Sequence, residues 1–420
     1  MGHQLSATHS FSHSNEELGT CYQAGSGSTI MSYAGITDYD VQDHSDAYFS
    51  YASINQIQNN LAGKTCPVST SITTNSPPVI NAGSNYTIPI STPFILTGTG
   101  SDPEGNAITY TWEQYDNAIT TFGNKSMCYP TKPDGPMFRS FMPTTSPVRY
   151  MPALSSVLNN QLTTSWESVS SIAKTMNFTL TGRDNAGDGI SQTNTAAMVV
   201  TVSAAAGPFA LTSQADDNLG WAEGSAQTIT WNVYNINTLP GSSNVNIKLS
   251  LDGGLTFPVV LARNTPNDGS ETVLVAAEIT PSTNCRLLIE PVGNIYYAVN
   301  SRPFAVGYTV STSCSTYNFG GGYSTDLNVN VNRTVVVPAS SGLVADVNVT
   351  VNVTHARFSD LTMQIISPKG TVVTLFNKNC GGTSSTLALQ FDDTGTALNC
   401  GSTVSQIIIP STALNHLNGE

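Results

Sequence analysis

The plainest periodic signal in the chain is the stretch DVNVTVNVTH at 346–355. Val347, Val349, Val351 and Val353 alternate with Asn348, Thr350, Asn352 and Thr354. Successive side chains of a strand point to opposite faces, so this period of two predicts a strand with one face on a core and the other in solvent. From Pro78 onward the chain offers further β stretches, among them YTIPISTPFILTGTG, QTITWNVYN, NVNIKLSLDGGLTFPVVLA and NCRLLIEPVG, punctuated by Gly, Pro, Asn and Asp. Short strands with turn signals every 8–12 residues or so predict sandwiches or barrels. The opening region differs. In SDAYFSYASINQIQNNLAG, Tyr48, Phe49, Ala52, Ile54, Ile57 and Leu61 recur near helical spacing, with Ser45 or Asp46 as N-cap and Gly63 as the stop. A Ser/Thr/Pro linker, CPVSTSITTNSPP, comes next.

These signals divide the chain into a partly helical segment 1–66, a linker 67–77, β units 78–205 and 206–307, and a third β unit 308–420. The expected fold class is mainly β. The length of 420 residues leaves room for such an array, at roughly 100–200 residues per domain. Trp112 is expected in the core of a central strand of the first β unit.

Composition narrows the function. Charged residues make up 10% of the chain and the formal net charge is -13, against about 25% charged in ordinary soluble domains. An acidic chain without a Lys/Arg cluster repels phosphate backbones, which argues against nucleic-acid binding. No apolar run reaches the ~18 residues of a membrane helix, and MGHQLSATHSFSHS has neither the basic end nor the apolar stretch of a secretory leader. The seven cysteines form no CxxC pair. Their scatter suggests a few disulfides in a secreted chain with one thiol left over, and proximity alone suggests Cys21 with Cys66 and Cys380 with Cys400.

The candidate chemistry is at the start. GHQLSATH aligns with the zincin motif HExxHxxGxxH from its second histidine, with His3 and His9 six residues apart and Ser6 at the glycine position. STIMSY lies downstream, with Met31 coming 22 residues after His9 and Tyr33 two residues further on. Residues 1–66 thereby resemble the C-terminal part of a secreted bacterial reprolysin-like metzincin, an α+β zinc metallopeptidase. The resemblance implies His3 and His9 as zinc ligands, Met31 as the apolar floor beneath the metal, and Tyr33 as a group that steadies the transition state. The first histidine and the general-base glutamate of the motif fall before Met1, so this chain reads as a fragment that is not itself a competent peptidase. A left-handed backbone at Ser6 would cost serine roughly 1 kcal/mol. His13 and His44 lack such support and are expected to be solvated loop residues.

The β units carry further resemblances. Residues 78–205 resemble Ig-like modules of the PKD or cadherin-like kind, and 206–307 a second Ig-like sandwich. In SDPEGN, Asp102, Glu104 and Asn106 are oxygen donors suited either to calcium or to a polar turn. RDNAGDG, with Asp184, Asn185 and Asp188, lacks the length and closing glutamate of an EF-hand loop. Ser250, Asp252, Gly254, Thr256 and Phe257 match the Asp-box pattern S-x-D-x-G-x-T-[WF], read here as a hairpin device. VADVNVTVNVTHARFSDLTMQIISPKGTVVTLF and LQFDDTG resemble the P (Homo B) domain, a jelly-roll-like sandwich. There Asp360, Asp392 and Asp393 suit calcium or turn capping equally, His355 reads as structural, and the family pattern continues past LNHLNGE.

A P domain also accompanies serine proteases, but no G-x-S-x-G elbow is present. The expectation is therefore a secreted, extracellular zinc endopeptidase acting on protein or peptide substrates, with zinc and in addition calcium as the metals considered. The competing reading is a non-catalytic adhesive or scaffolding β array that contacts a cell surface or matrix.

Overall fold

The alternation at 347–353 folds as the strand Val349–His355, with half-buried valines alternating with exposed Thr350, Asn352 and Thr354. The computed structural model describes residues 1–419 except 18, 67, 69, 310, 312, 320–329, 339–343, 382–384 and 403. The fold is mainly β, in two compact units, Met1–Val310 and Ser311–Glu420.

In the first unit a four-stranded sheet runs in the order Tyr86–Pro89, Thr193–Ser203, Lys174–Arg183, Thr109–Gln114. Trp112 is buried, and its indole N–H donates to the Pro147 carbonyl at 2.8 Å. Its strand lies at the sheet's edge rather than at its centre, because Thr109–Gln114 pairs along one side with Lys174–Arg183. A second sheet runs Val259–Pro266, Asn244–Ser250, Ser282–Pro291, Phe304–Val306, Gly220–Trp221, with Ala298–Val299 on Ser282–Pro291. Both sheets feed one contiguous core that includes Phe94, Trp112, Phe178, Trp221, Ile247 and Leu287. Two hydrogen bonds also link the two halves of the unit outside these sheets: the Ile95 N–H donates to the Ile295 carbonyl at 2.8 Å and the Tyr297 N–H to the Pro93 carbonyl at 3.0 Å. Each large apolar side chain buried there contributes roughly 1.5–3 kcal/mol.

Residues 1–66 pack on the first β unit. The helix α1, Tyr51–Ala62, starts at Ser50 rather than at Ser45 or Asp46. Tertiary bonds hold the preceding residues out of the helix. The Ile30 N–H donates to the Tyr48 carbonyl at 3.2 Å, the Tyr48 hydroxyl to Ser140 Oγ at 2.5 Å and Arg183 Nη2 to the Phe49 carbonyl at 3.0 Å. The Glu113 carboxylate accepts the first helical N–H, from Tyr51, at 2.7 Å. Strand alternation puts Thr111 and Glu113 on the face opposite Trp112, yet both are buried. That face is covered because Arg183, reaching Phe49, also donates to Thr111 Oγ1 at 2.9 Å.

In the second unit, Val349–His355, Ser385–Thr396 and Gln406–Ile408 form one sheet, and Thr362–Ile366 pairs with Val372–Asn377 as a hairpin. Gly370, with φ +92°, makes the SPKGT turn, where the Ser367 N–H donates to the Thr371 carbonyl at 2.9 Å. Phe358, Phe376, Leu387, Leu389 and Phe391 fill the core.

Cys380 and Cys400 are disulfide-bonded as expected. Cys21 and Cys66 are not. Cys21 is fully buried, with its N–H on Asn117 Oδ1 at 2.9 Å and its carbonyl accepting from Ala118, whereas Cys66 is exposed beyond α1. With Cys128, Cys285 and Cys314 also free, the described residues hold one bridge rather than a few.

Candidate metal centre

The first turn reverses the chain and folds His3 back against the segment that leads to His9. His3–Leu5 is a single 3-10 turn closed by Ser6 at φ 70°, ψ 19°, the left-handed region expected of the motif's glycine position. The Ser6 N–H donates to the His3 carbonyl and the Ala7 N–H to the Gly2 carbonyl, both at 3.0 Å. The Ala7 carbonyl then lies 2.9 Å from His3 Nδ1. A carbonyl only accepts, so Nδ1 carries the proton and Nε2 of the neutral ring keeps its lone pair.

His9 is arranged in the same way. Its Nδ1 lies 2.9 Å from Glu16 Oε2, an acceptor that likewise places the proton on Nδ1. This hydrogen bond holds the Glu16 carboxyl below its usual range. The His9 carbonyl accepts from Thr20 Oγ1 at 2.9 Å and Asn15 Nδ2 at 3.1 Å. The two imidazole centroids lie 4.7 Å apart with their planes at 81°. Two rings sharing one tetrahedral zinc at ~2.0–2.1 Å per bond would have centroids roughly 5 Å apart. Tyr33 sits 4.4 Å from His9, centroid to centroid, and stacks on Phe11 at 4.6 Å.

Met31 is buried beside Gly2. A Cβ on Gly2 would collide with Met31 Sδ and come within 3.1 Å of the Phe49 ring. The Met31 carbonyl accepts from the Ser10 N–H at 2.9 Å, which ties the turn to the residue after His9. Gln23 organises the turn from inside. Its Nε2 donates to Ser10 Oγ at 2.6 Å and Thr29 Oγ1 at 2.7 Å, and its Oε1 accepts from the Ser28 and Thr29 N–H groups. Beside His9 an open depression of about 280 Å³ is lined by Phe11, His13, Glu16, Tyr33 and Ile36 among others.

Three residues that matter here carry no local signature: Glu16, Gln23 and the buried Arg139, which donates to the Ala24 carbonyl from 115 residues away. Glu16 stands out only as half of an acidic pair in a charge-poor region. His13 is not simply solvated: its Nδ1 accepts the Gly123 N–H at 3.2 Å and its ring packs 4.3 Å from Tyr39. His44 is exposed. His355 closes its strand, with Nδ1 2.7 Å from the Arg357 carbonyl.

The carboxylates considered for calcium each have protein partners, although Asp102 engages only Oδ1. Asp102 Oδ1 accepts from the Glu104 and Asn106 N–H groups at 3.0 and 2.8 Å. Glu104 accepts from Ser76 N–H and Oγ, and Asn106 donates to Asn75 Oδ1. Asp184 accepts from Asn75 Nδ2 at 2.6 Å, and Asn185 donates to the Ala107 carbonyl at 2.9 Å. The turn thus fastens the end of the linker. Asp392 accepts from Thr394 N–H and Oγ1, Asp393 caps the 3-10 turn Leu414–Leu417, and Asp360 faces Arg357 at 3.4 Å. In the Asp-box, Asp252 accepts from Ser250 Oγ, Thr256 N–H and Thr256 Oγ1, which pulls its carboxyl down to about 2. Phe257 anchors the loop beside Val157, Leu288 and Tyr297.

Among the described residues, no group of three or more His, Cys, Asp or Glu side chains is arranged to hold a metal. None of the helices there is long and apolar enough to cross a membrane.

Residues 1–66 match the family described as metallo-peptidase family M12B, reprolysin-like, and residues 344–397 match the proprotein convertase P-domain. No curated protein matches the chain. Among solved structures, the chain is similar to a nucleoside hydrolase-related hypothetical protein from Saccharophagus degradans, with 18% identity and a TM-score of 0.19; the match covers 31% of this chain and 26% of that one, about a quarter of its length. It is also similar to tandem Ig repeats of Dlar, at 13% identity, 55% and 96% coverage and a TM-score of 0.27. Against a chimeric titin Z1Z2 the figures are 9% identity, 56% and 98% coverage and a TM-score of 0.20.

Proposed function

We propose that residues 1–66 belong to the catalytic domain of a secreted zinc-dependent metalloendopeptidase acting on protein or peptide substrates. One observation carries this reading. His3 and His9 lie with ring centroids 4.7 Å apart, and each engages Nδ1 so that Nε2 is the nitrogen available to a metal. A second hydrogen bond that fixes the tautomer is the usual support of a metal-bound imidazole. Zinc, when bound, polarises a scissile carbonyl and acidifies a bound water. His3 and His9 would supply two of the three protein ligands such a site needs, and with no third ligand convergent among the described residues we assign no hydrolytic step to this chain alone. The Tyr33 phenol, beside His9, is proposed to steady the transition state, and the open depression there to take an extended peptide. The β units are proposed to space or dock the catalytic part at a cell surface or matrix.

The test is calorimetric titration of the 420-residue chain with Zn²⁺, beside the variants His3→Ala and His9→Ala, with casein as substrate in parallel. The expected result is one weak zinc site, lost in either variant, and no casein turnover. Zinc binding that survives both substitutions would sink the reading and leave the non-catalytic β array.

A further inference from the structure

Residues 1–66 are bonded to the first β unit at many points, and the bonds converge on the backbone that carries His9. The Gly25 N–H donates to the Ser126 carbonyl and the Ser14 N–H to the Thr121 carbonyl, both at 2.9 Å. The Cys21 N–H donates to Asn117 Oδ1, and the neighbouring Thr20 Oγ1 donates to the His9 carbonyl, both at 2.9 Å.

Beneath them lies Arg139, 1% exposed. Its fork donates to the Ala24 carbonyl from Nη1 and to the Ser165 carbonyl from Nε at 2.9 Å, with Met127 Sδ 3.4 Å from Nη2. Burying a guanidinium costs several kcal/mol, and an apolar residue of similar size would often stabilise the unit more. What an apolar residue lacks is the rigid fork that spans two carbonyls. The residue after Ala24 is Gly25, at φ +57°, whose absent Cβ would strike Arg139 Nη2 and the Tyr39 carbonyl. The Gly25 carbonyl accepts from the Ser12 N–H at 3.0 Å and the His13 N–H at 2.8 Å, and the Gln23 N–H donates to the Ser10 carbonyl at 2.8 Å. Residues 10–13, which continue directly from His9, therefore lie on a backbone segment that Arg139 pins from the β unit.

We propose that the first β unit is the base on which the histidine pair is set, and that Arg139 is a positioning residue for His9, acting through Ala24 and Gly25. This rests on the metal-binding reading of the pair. A spacer module would touch the catalytic part at a hinge, whereas this one holds its floor.

The test uses the full chain with Arg139→Lys, which keeps the charge and loses the fork, and Asn117→Ala, which removes a half-exposed anchor. Two quantities are read on folded protein: zinc affinity by calorimetry, and the cross-relaxation between His3 and His9 ring protons in metal-free, histidine-labelled chain. Arg139→Lys is expected to weaken zinc about tenfold, in the range found for partners behind metal ligands, and to diminish the cross-peak. Asn117→Ala is expected to weaken zinc roughly threefold, the worth of one hydrogen bond. A folded Arg139→Lys chain with unchanged affinity and cross-peak overturns the proposal. If that variant does not fold, the same null result in Asn117→Ala overturns it. Should the wild-type chain bind no zinc at the pair, the peptidase reading fails, and the cross-peak comparison still decides the positioning role.

Discussion

Substituting Ser6 by glycine isolates one backbone term at the candidate metal centre. Ser6 is exposed and ends the His3–Leu5 turn at φ 70°, ψ 19°, with its N–H on the His3 carbonyl at 3.0 Å. An L-residue in this region loses roughly 1–2 kcal/mol to the clash between Cβ and the following carbonyl. Glycine relieves that clash, but its freer unfolded chain gives back about 0.4–1 kcal/mol. The net expectation is a local gain of about 0.5–1 kcal/mol, or roughly two- to fivefold in an opening equilibrium. A global melt would blur this, because the chain has two units and its unfolding need not be two-state. Native-state hydrogen exchange at the amides of residues 6 and 7 reads the turn directly. Protection there should rise two- to fivefold or so in Ser6→Gly, and should not rise in Ser6→Ala, which retains Cβ. Equal protection in the two variants would refute the argument, since hydroxyl loss rather than backbone relief would then be at work.

Three more perturbations have defined outcomes. Glu16→Ala removes the acceptor of the His9 Nδ1 proton and should weaken zinc about tenfold by calorimetry; the support is complete above the ordinary glutamate range and lost as pH falls through the lowered Glu16 value. Asp252 holds the turn after Ser250 with its carboxylate, so its contribution should be full above a pH of about 4 and fade as pH falls towards about 2, while Asp252→Asn should flatten that part of a stability-against-pH curve. Replacing Cys380 and Cys400 by serine opens a bridge with a sequence separation of 20, which should cost unit Ser311–Glu420 about 3 kcal/mol, measured by denaturant unfolding of that unit against the oxidised chain.

Local patterns were the legible part of the sequence. The period of two at Val347–Val353, the SPKGT turn and the Asp-box each depend on residues within a few positions, and each takes the expected form. The spacing of His3 and His9 was legible for the same reason, and the two rings lie 4.7 Å apart, centroid to centroid. What stayed hidden depends on distant partners. Helical spacing extended back through Tyr48 and Phe49, but Ser140 and Arg183 hold those residues out of the helix. Proximity paired Cys21 with Cys66, but Asn117 and Ala118 bury Cys21 elsewhere.

The buried charges show where such long-range demands fall. Glu113, Lys132, Arg139, Glu167 and Asp184 are buried in a chain with only 10% charged residues, and all lie between residues 113 and 184. Glu113 caps α1, Arg139 holds Ala24, and Asp184 holds Asn75 of the linker. Lys132 fixes the carbonyls of Ser126 and Met127 at 2.9 Å, in the loop that receives Gly25. Glu167 stays within the unit, on Arg149 and the Ala153 N–H. Four of the five therefore serve contacts with residues 1–76, directly or through one loop. Since a buried charge costs stability unless it is well bonded, their concentration at this seam argues that the N-terminal segment and the first β unit are held as a single body. A pair of imidazoles on a short segment needs that support, because so few residues bury too little surface to hold two rings in place on their own.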